Sequence, residues 1–541
     1  MSDERPSFRK QYFAHWHWIV DHYLLYWMAL PPFHFWELAF LAVVPLIPLV
    51  QSETCDRKTY MRLWFGGFVF WLFEAGFVRF PHPVNWGLLV ALAAYLALYG
   101  PLFLLVTRRL TRQKKWPLWL AAPLVWAGGD ILRCWVMTGY PMSSLCHAMY
   151  SVPILIQTAD LVGEWGVDAL LVLFSVFLTG IRKKPWKSIL GMATVLAFML
   201  GYGTFQLSRD TLGDPVGTVA LLQGNIPACL TLNDEIVKKT ETQYQELAQE
   251  AVAQHADVLV YPESIYRYPV LFMSENPQMP PGLLDETGKP MTETMFRTRL
   301  AYAVQSFQSG LSEFVRSRNT AVVTGFSAES YEDDGPRSYN GAIFVSADGK
   351  LGPYYAKMHL VPYGEYVPFL QPLLTWFPSL EQYSPIGSGS SFGKTPVAVE
   401  LPTSGKTLTA SLNICFESTV GRLIRRQIQT LRNAGTEPDC LLNVTNNGWF
   451  DHSHETQLHL ACGVFRAVEN RKPFLTAANF GISASIDSNG RILASLETGK
   501  PGVVYAQVRP DTRKTLYTRF GWLFLWLPLS CIGWSLIRID N

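Results

Sequence analysis

The sequence predicts two architectures in one chain: a multi-span α-helical membrane bundle and a layered α/β domain inserted before its last helix. Three observations carry this. Residues 14 to 205 are dominated by Trp, Phe, Leu, Val and Ala, in runs long enough to cross a bilayer core of about 30 Å. The connections between those runs alternate between strongly basic and nearly charge-free. From residue 206 to 515 the pattern becomes short apolar runs alternating with amphipathic stretches, as in domains whose helices cover sheet faces.

Seven apolar stretches can be drawn in the first part: 14–30, 35–50, 63–80, 86–106, 116–137, 163–181 and 188–205, with an eighth at 516–537. Together they predict eight transmembrane helices. The first two are the shortest and most polar, and Pro45 and Pro48 interrupt the second. The basic start (Arg5, Arg9, Lys10) runs into His15, His17, Asp21 and His22, which reads as an uncleaved anchor. With a cytoplasmic N-terminus, the cytoplasmic connections carry Arg57, Lys58 and Arg62, then Arg108, Arg109, Arg112, Lys114 and Lys115, then Arg182, Lys183, Lys184 and Lys187. The opposite connections carry Arg79 and Arg133 alone. By the positive-inside rule the seventh span exits outward, the domain after residue 206 lies outside, and the eighth returns the tail with Arg538. The domains expected are therefore 1–205 (spans 1–7), 206–515 (α/β) and 516–541 (span 8 and tail). Asp21, Glu37, Glu74, Asp130, Arg133 and Asp168 fall in or beside spans, and Asp130 and Arg133, three apart on a helix, are expected to pair.

Composition excludes several functions. A formal charge of +2 without a basic stripe argues against nucleic-acid binding. Eight cysteines without CxxC spacing argue against a disulfide framework or a zinc site, and no cofactor is indicated.

In the α/β part, 216–225 and 257–264 read as buried strands, with a helix between them capped at Asn233 or Asp234. A helix at 301–318 and a strand at 320–327 follow. Residues 339–360 read as a hairpin turning at Asp348-Gly349. The strand 407–418 contains Cys415, and further helices and strands run to 508. Three polar residues end or follow apolar strands, where layered α/β domains place their chemistry: Glu263, Lys357 and Cys415. A thiolate attacks a carbonyl, a carboxylate takes and returns the thiol proton, and an ammonium favours both thiolate and oxyanion. The backbone N–H of Phe416 is a second candidate oxyanion donor. Spacing alone carries this weakly, because a cysteine ending a strand is ordinarily a small buried hydrophobe.

The surrounding segments carry more. Glu263 in YPES, Lys357 in YYAKMHLVPYGEYVPF and Cys415 in NICFES resemble the three signature segments of the nitrilase superfamily. The middle segment is similar to its membrane-bound branch, the apolipoprotein N-acyltransferases. QGNIP (223–227), NVTNNGWF (443–450), RAVENRKP (466–473), NFGISASIDSNG (479–490) and, in the apolar part, 29–47, TGYP (138–141) and 515–522 extend the likeness over nearly the whole chain.

The resemblance implies a nitrilase-type αββα sandwich between the last two of eight spans. It implies a ping-pong acyl transfer at the outer face of the bacterial cytoplasmic (inner) membrane. Cys415 takes an acyl chain from a phospholipid, phosphatidylethanolamine being the expected donor. The thioester passes it to the N-terminal amine of a diacylated apolipoprotein, the last step of lipoprotein maturation. Carried over by position, Glu263 is the base, Lys357 the oxyanion stabiliser and Cys415 the nucleophile. Glu365 supports Lys357, and Glu417, beside the nucleophile, is either functional or a structural carboxylate. The sequence departs from the family at Phe416, often Tyr, at Leu232 in place of a tryptophan, and at Asp130 and Met142, more often Glu and Trp. Residues 264–300 and 366–390, the latter with Phe369, Trp376 and Phe377, read as lipid-facing arms or plain surface excursions. Two other functions fit the residues: a membrane-tethered amidase using the same triad with water, and a non-catalytic lipoprotein-binding relative.

Overall fold

A computed structural model of the chain describes residues 15–209, 211–228, 234–366, 368, 389–450 and 453–537, with 267–271 as backbone only. Arg5, Arg9, Lys10, Leu232, Asn233, Phe369, Trp376, Phe377 and Arg538 lie outside the described residues. The chain divides into two compact units. One comprises residues 1–210, 453–471 and 513–541; the other comprises 211–452 and 472–512.

The first unit is helical. Its helices are α1 (Trp16–Ala29), α2 (Arg57–Glu74), α3 (Asn85–Leu96), α4 (Tyr99–Arg108), α5 (Leu118–Arg133), α6 (Glu164–Gly180) and α7 (Pro185–Ser208). Among the described residues two helices are long and apolar enough to cross a membrane, Asn85–Gln113 and Pro185–Leu207; the pair Pro153–Val162 and Glu164–Gly180, bent by 118°, would make a third. The stretch 35–50 is not one helix. It holds a 3-10 turn at Trp36–Phe40 and a short helix at Leu46–Gln51, as two prolines without an N–H to donate dictate. Asp130 and Arg133 pair as expected, at 3.1 Å. The same guanidinium donates to the carbonyls of Tyr140 (2.7 Å) and Met142 (2.5 Å) and to Ser144 Oγ (2.8 Å), so one buried cation fixes the loop after α5.

The second unit is a two-sheet sandwich. One sheet has the order β12-β1-β2-β3-β4-β5 and the other β11-β10-β9-β8-β7-β6. In chain order the elements are β1 (Thr218–Gln223), α8 (Asp234–Ala253), β2 (Val258–Met273), α9 (Glu293–Arg316), β3 (Ala321–Glu332), β4 (Gly335–Val345), β5 (Leu351–Ala356), β6 (Ala398–Leu401), β7 (Leu408–Ile414), α10 (Gly421–Asn433) and β8 (Cys440–Thr445). β9 (Phe474–Ala478), β10 (Ser483–Ile486), β11 (Ile492–Leu496) and β12 (Gly502–Gln507) complete it. Between β8 and β9 the chain enters the helical unit as α11 (Glu455–Asn470), and it ends there as α12 (Leu516–Leu536).

Strand alternation sorts the core. Val219, Leu221, Val258, Val260 and Val323 of the first sheet meet residues of the second, among them Leu408, Ala410, Leu412, Ile414 and Val444. The alternate residues Ala220, Leu222, Leu259 and Val322 face out and bury Tyr244, Leu247 and Ala251 of α8 and Phe307, Leu311 and Val315 of α9. Much of 264–300 is regular structure. β2 keeps pairing with β3 as far as Met273↔Tyr331, and Thr292 caps α9 by accepting from Met295 N (3.3 Å).

One glycine is required by this packing. A Cβ on Gly325 of β3 would lie 2.5 Å from Glu263 Cα and 2.6 Å from the Pro262 carbonyl oxygen. Both obstacles are backbone of the adjoining strand, so neither can rotate away. Gly325→Ala is expected to push β2 outward at Glu263, lowering stability by roughly 1–3 kcal/mol. Thermal unfolding checks this; a wild-type melting temperature would refute it.

Candidate active site

Lys357 and Cys415 each follow the last residue of a strand, whereas Glu263, expected to end one, lies inside β2 at an interruption of its pairing. Glu263 sits where the β2–β3 register shifts, between Tyr261 and Tyr266, and Ser264 beside it has φ +56°. Lys357 follows the last residue of β5. Cys415 follows the last residue of β7 and opens a 3-10 turn, Cys415–Thr419. Its φ of +49° is left-handed, a conformation that costs a non-glycine residue energy and turns the chain sharply out of the strand.

Lys357 is the hub. Only 1% exposed, its ammonium lies 2.9 Å from Glu365 Oε1 and 3.3 Å from Glu263 Oε1. Burial alone would lower its pKa; the charges of Glu263, Glu365 and Cys415 outweigh that and raise it, so the ammonium is kept at any physiological pH. Asn340 bridges the two carboxylates, donating through Nδ2 to Glu263 Oε1 (2.7 Å) and Glu365 Oε1 (2.6 Å). The second oxygen of each carboxylate is fixed by a backbone amide: Asn446 N to Glu263 Oε2 at 2.9 Å, and Val361 N to Glu365 Oε2 at 2.7 Å. The structure thus brings Glu263, Lys357 and Glu365 into one hydrogen-bonded cluster, with Cys415 near enough to act on the charge of Lys357.

Glu417 faces elsewhere. It is fully buried and accepts from Tyr355 Oη (2.8 Å), Met358 N (2.7 Å), His359 N (2.9 Å) and Ile414 N (2.8 Å). Burial is the main cause of its raised pKa, about 7, against the opposing pull of these donors and Lys357. This carboxylate ties the backbone after Lys357 to the backbone before Cys415. Phe416 stacks on His359 with ring centroids 5.9 Å apart. Burial, then Arg422 and Lys357, push the His359 imidazole down to about 4, so the ring stays neutral. The Phe416 amide lies in the first turn of a helix, where N–H groups lack intrahelical acceptors.

Beyond their place in the quoted segments, nothing in the sequence singles out Asn340, Asn446, Tyr355 or His359. Asn340 and Asn446 are single amides in polar contexts, YNGA and TNNG, whose significance is purely one of place. A further asparagine, Asn443, donates to the Cys415 carbonyl at 3.2 Å. Among the described residues no group of His, Cys, Asp and Glu could hold a metal ion.

Comparisons with known proteins bear on the family. A family model for the apolipoprotein N-acyltransferase N-terminal domain matches residues 24–177, and one for carbon-nitrogen hydrolases matches 218–517. The chain is 30% identical to an apolipoprotein N-acyltransferase of Rhodopirellula baltica, covering 92% of each chain. It is also 30% identical to one of Geobacter metallireducens, covering 92% of this chain and 89% of that one. Among solved structures it is similar to an amidase from Nesterenkonia sp., at 17% identity and a TM-score of 0.36, covering 58% of this chain and 96% of that one. A carbon-nitrogen hydrolase domain joined to this particular apolar N-terminal domain, with identity running through both, makes the chain a member of the apolipoprotein N-acyltransferase family.

Proposed function

We propose that the protein moves an acyl chain from a phospholipid to the N-terminal amine of a diacylated apolipoprotein by way of a thioester on Cys415. The observation that carries the residue roles is the Lys357 ammonium held between Glu263 and Glu365. In the first half-reaction Glu263 takes the thiol proton and Cys415 Sγ attacks the ester carbonyl. Lys357 and the Phe416 amide stabilise the oxyanion. As the tetrahedral intermediate collapses, the ester C–O bond breaks and Glu263 returns the proton to the leaving oxygen of the lysophospholipid. In the second, the lipoprotein amine attacks the thioester carbonyl, Glu263 accepts the ammonium proton, and as the C–S bond breaks Glu263 returns that proton to the departing sulfur, restoring the thiol and its own carboxylate. Glu365 and Asn340 hold Lys357 in place, and Glu417 holds the loops that carry Lys357 and Cys415.

The donor is phosphatidylethanolamine in this reading. The membrane part comprises eight spans, in segments 1–205 and 516–541, in the bacterial inner membrane. Segment 206–515 supplies the catalytic domain on the periplasmic side. The positive-inside distribution of Arg57 through Lys187 supports that orientation. A membrane-mounted site also spares both substrates the extraction of their chains into water, about 0.8 kcal/mol for each CH₂ exposed.

Incubation with phospholipid carrying a labelled acyl chain tests the reading. A hydroxylamine-sensitive label on Cys415, discharged by a diacylated lipopeptide with a free amine, is the expected result. Amide cleavage with no labelled enzyme would favour an amidase instead.

A further inference from the structure

The helical unit carries a groove lined by none of the residues placed in the acyl-transfer chemistry. It has a volume of about 740 Å³, within the usual range for small-molecule sites, and lies along α3 and α4 between α2 and α5. Leu98, Leu102, Leu105, Leu132, Val136 and Tyr60 line it. Arg57, at the start of α2, also lines it.

The two ends differ. Toward α5 the groove is closed by polar groups that satisfy one another: Tyr95 Oη lies 2.7 Å from Tyr99 Oη and donates to the Val136 carbonyl at 3.1 Å. The opposite end is cationic. Leu63 of α2 lies against Gly100, so α2 and α4 run side by side and Arg57 comes level with the end of α4, beyond Leu105. Other arginines there are committed to the backbone. Arg108 donates to the carbonyls of Leu49 (2.9 Å), Val50 (3.0 Å) and Ser52 (2.7 Å), and Arg112 to that of Gln51 (2.6 Å). Arg57 is exposed and has no ion-pair partner among the described residues.

Length decides the occupant. From Tyr95 to Leu105 the groove follows ten residues of helix, about 15 Å at 1.5 Å per residue. That is one leaflet of a hydrocarbon core of about 30 Å. An apolar channel one leaflet deep, with a cation at the polar end and hydroxyls at the other, matches one acyl chain below one negatively charged headgroup. Basic groups at the mouth of an inter-helix pocket on the basic side of a membrane protein select anionic lipid. We propose that this groove holds one anionic phospholipid, its phosphate on Arg57 and one chain against Leu98, Leu102 and Leu105. This site would be separate from the acyl donor's; it rests on the membrane reading of these helices and not on the roles of Glu263, Lys357 and Cys415.

Native mass spectrometry of the full-length protein in detergent tests it, in the Cys415→Ala background so that no lipid is consumed. The probes are dioleoyl-phosphatidylglycerol and dioleoyl-phosphatidylcholine, which share their chains and differ in charge. The protein is expected to retain one phosphatidylglycerol about fivefold more strongly, the effect of one juxtamembrane arginine. Arg57→Ala should erase that preference, Arg57→Lys should keep most of it, and Leu102→Trp, which fills the groove, should reduce retention of both lipids. Equal retention of the two lipids by the parent protein, or an undiminished preference in Arg57→Ala with an unchanged melting temperature, would overturn the proposal. The labelled-thioester experiment fails or succeeds independently of this one.

Discussion

Cys415→Ala is expected to stop N-acylation, with a fall of more than about 10³-fold, because both half-reactions pass through the same sulfur. No thioester forms, so neither lysophospholipid release nor transfer to the amine can follow. Folding should survive. Cys415 is only partly buried, and alanine tolerates the left-handed backbone no worse than cysteine does, so a stability change within roughly 1 kcal/mol is expected. The measurement is mass spectrometry of lipoprotein N-termini in cells whose own N-acyltransferase has been depleted, complemented with the variant. Diacylated lipoproteins should accumulate. Fully triacylated lipoproteins from a cell with no other such enzyme would defeat the thioester mechanism and bring back the non-catalytic, lipoprotein-binding reading.

Lys357→Met should do more damage, because it removes a charge that two carboxylates share. Glu263 and Glu365 both bond to Asn340 Nδ2, at 2.7 and 2.6 Å, and without the ammonium they are left as like charges in a buried place. Removing one partner of such a cluster costs about 3–5 kcal/mol, which proton uptake by one carboxyl would partly offset. The oxyanion also loses a donor, worth about 10²–10³ in rate. Stability and catalysis can be separated. Lys357→Met/Glu365→Gln removes the repulsion and should regain much of the melting temperature while remaining inactive. The pH dependence of Cys415 alkylation by iodoacetamide gives a second readout. The ammonium favours the thiolate, so its loss should shift the alkylation profile to higher pH. An unshifted profile in the folded double variant would mean that Lys357 does not act on the thiol.

Most strands and helices of the sandwich can be read from local pattern. Apolar runs mark β1, β7 and β8, and Asp348-Gly349 marks the turn between β4 and β5, where Gly349 has φ +82°. Other features escape local pattern for definite reasons. β2 continues to Met273 through Tyr266 and Pro269 because β3 is there to pair with it, and an edge partner is invisible in a single segment. β11, Ile492–Leu496, is a five-residue strand at the end of its sheet whose partner β10 lies across a short turn, and so short a run does not by itself show that pairing. In the apolar part, composition locates the hydrophobic stretches without saying how each bends. Residues 35–50 break at their prolines, and the stretch containing Gly163 turns through 118°.

The sequence alone determined the family, the residue types of the chemistry and the positions of Glu263, Lys357 and Cys415, because strand ends and signature segments are local properties. It also located Glu365, eight residues beyond Lys357. Tertiary structure alone decided which groups meet. It set Asn340 between two carboxylates, closed the free oxygen of Glu263 with the amide of Asn446, and turned Glu417 away from the cluster to bind four backbone and phenol donors. These contacts join residues from 25 to 183 positions apart, save the local bond of Ile414 to Glu417. The physical reason is that a hydrogen bond needs two groups within about 3 Å, and only strand pairing within a sheet and packing between the two sheets bring such distant residues that close.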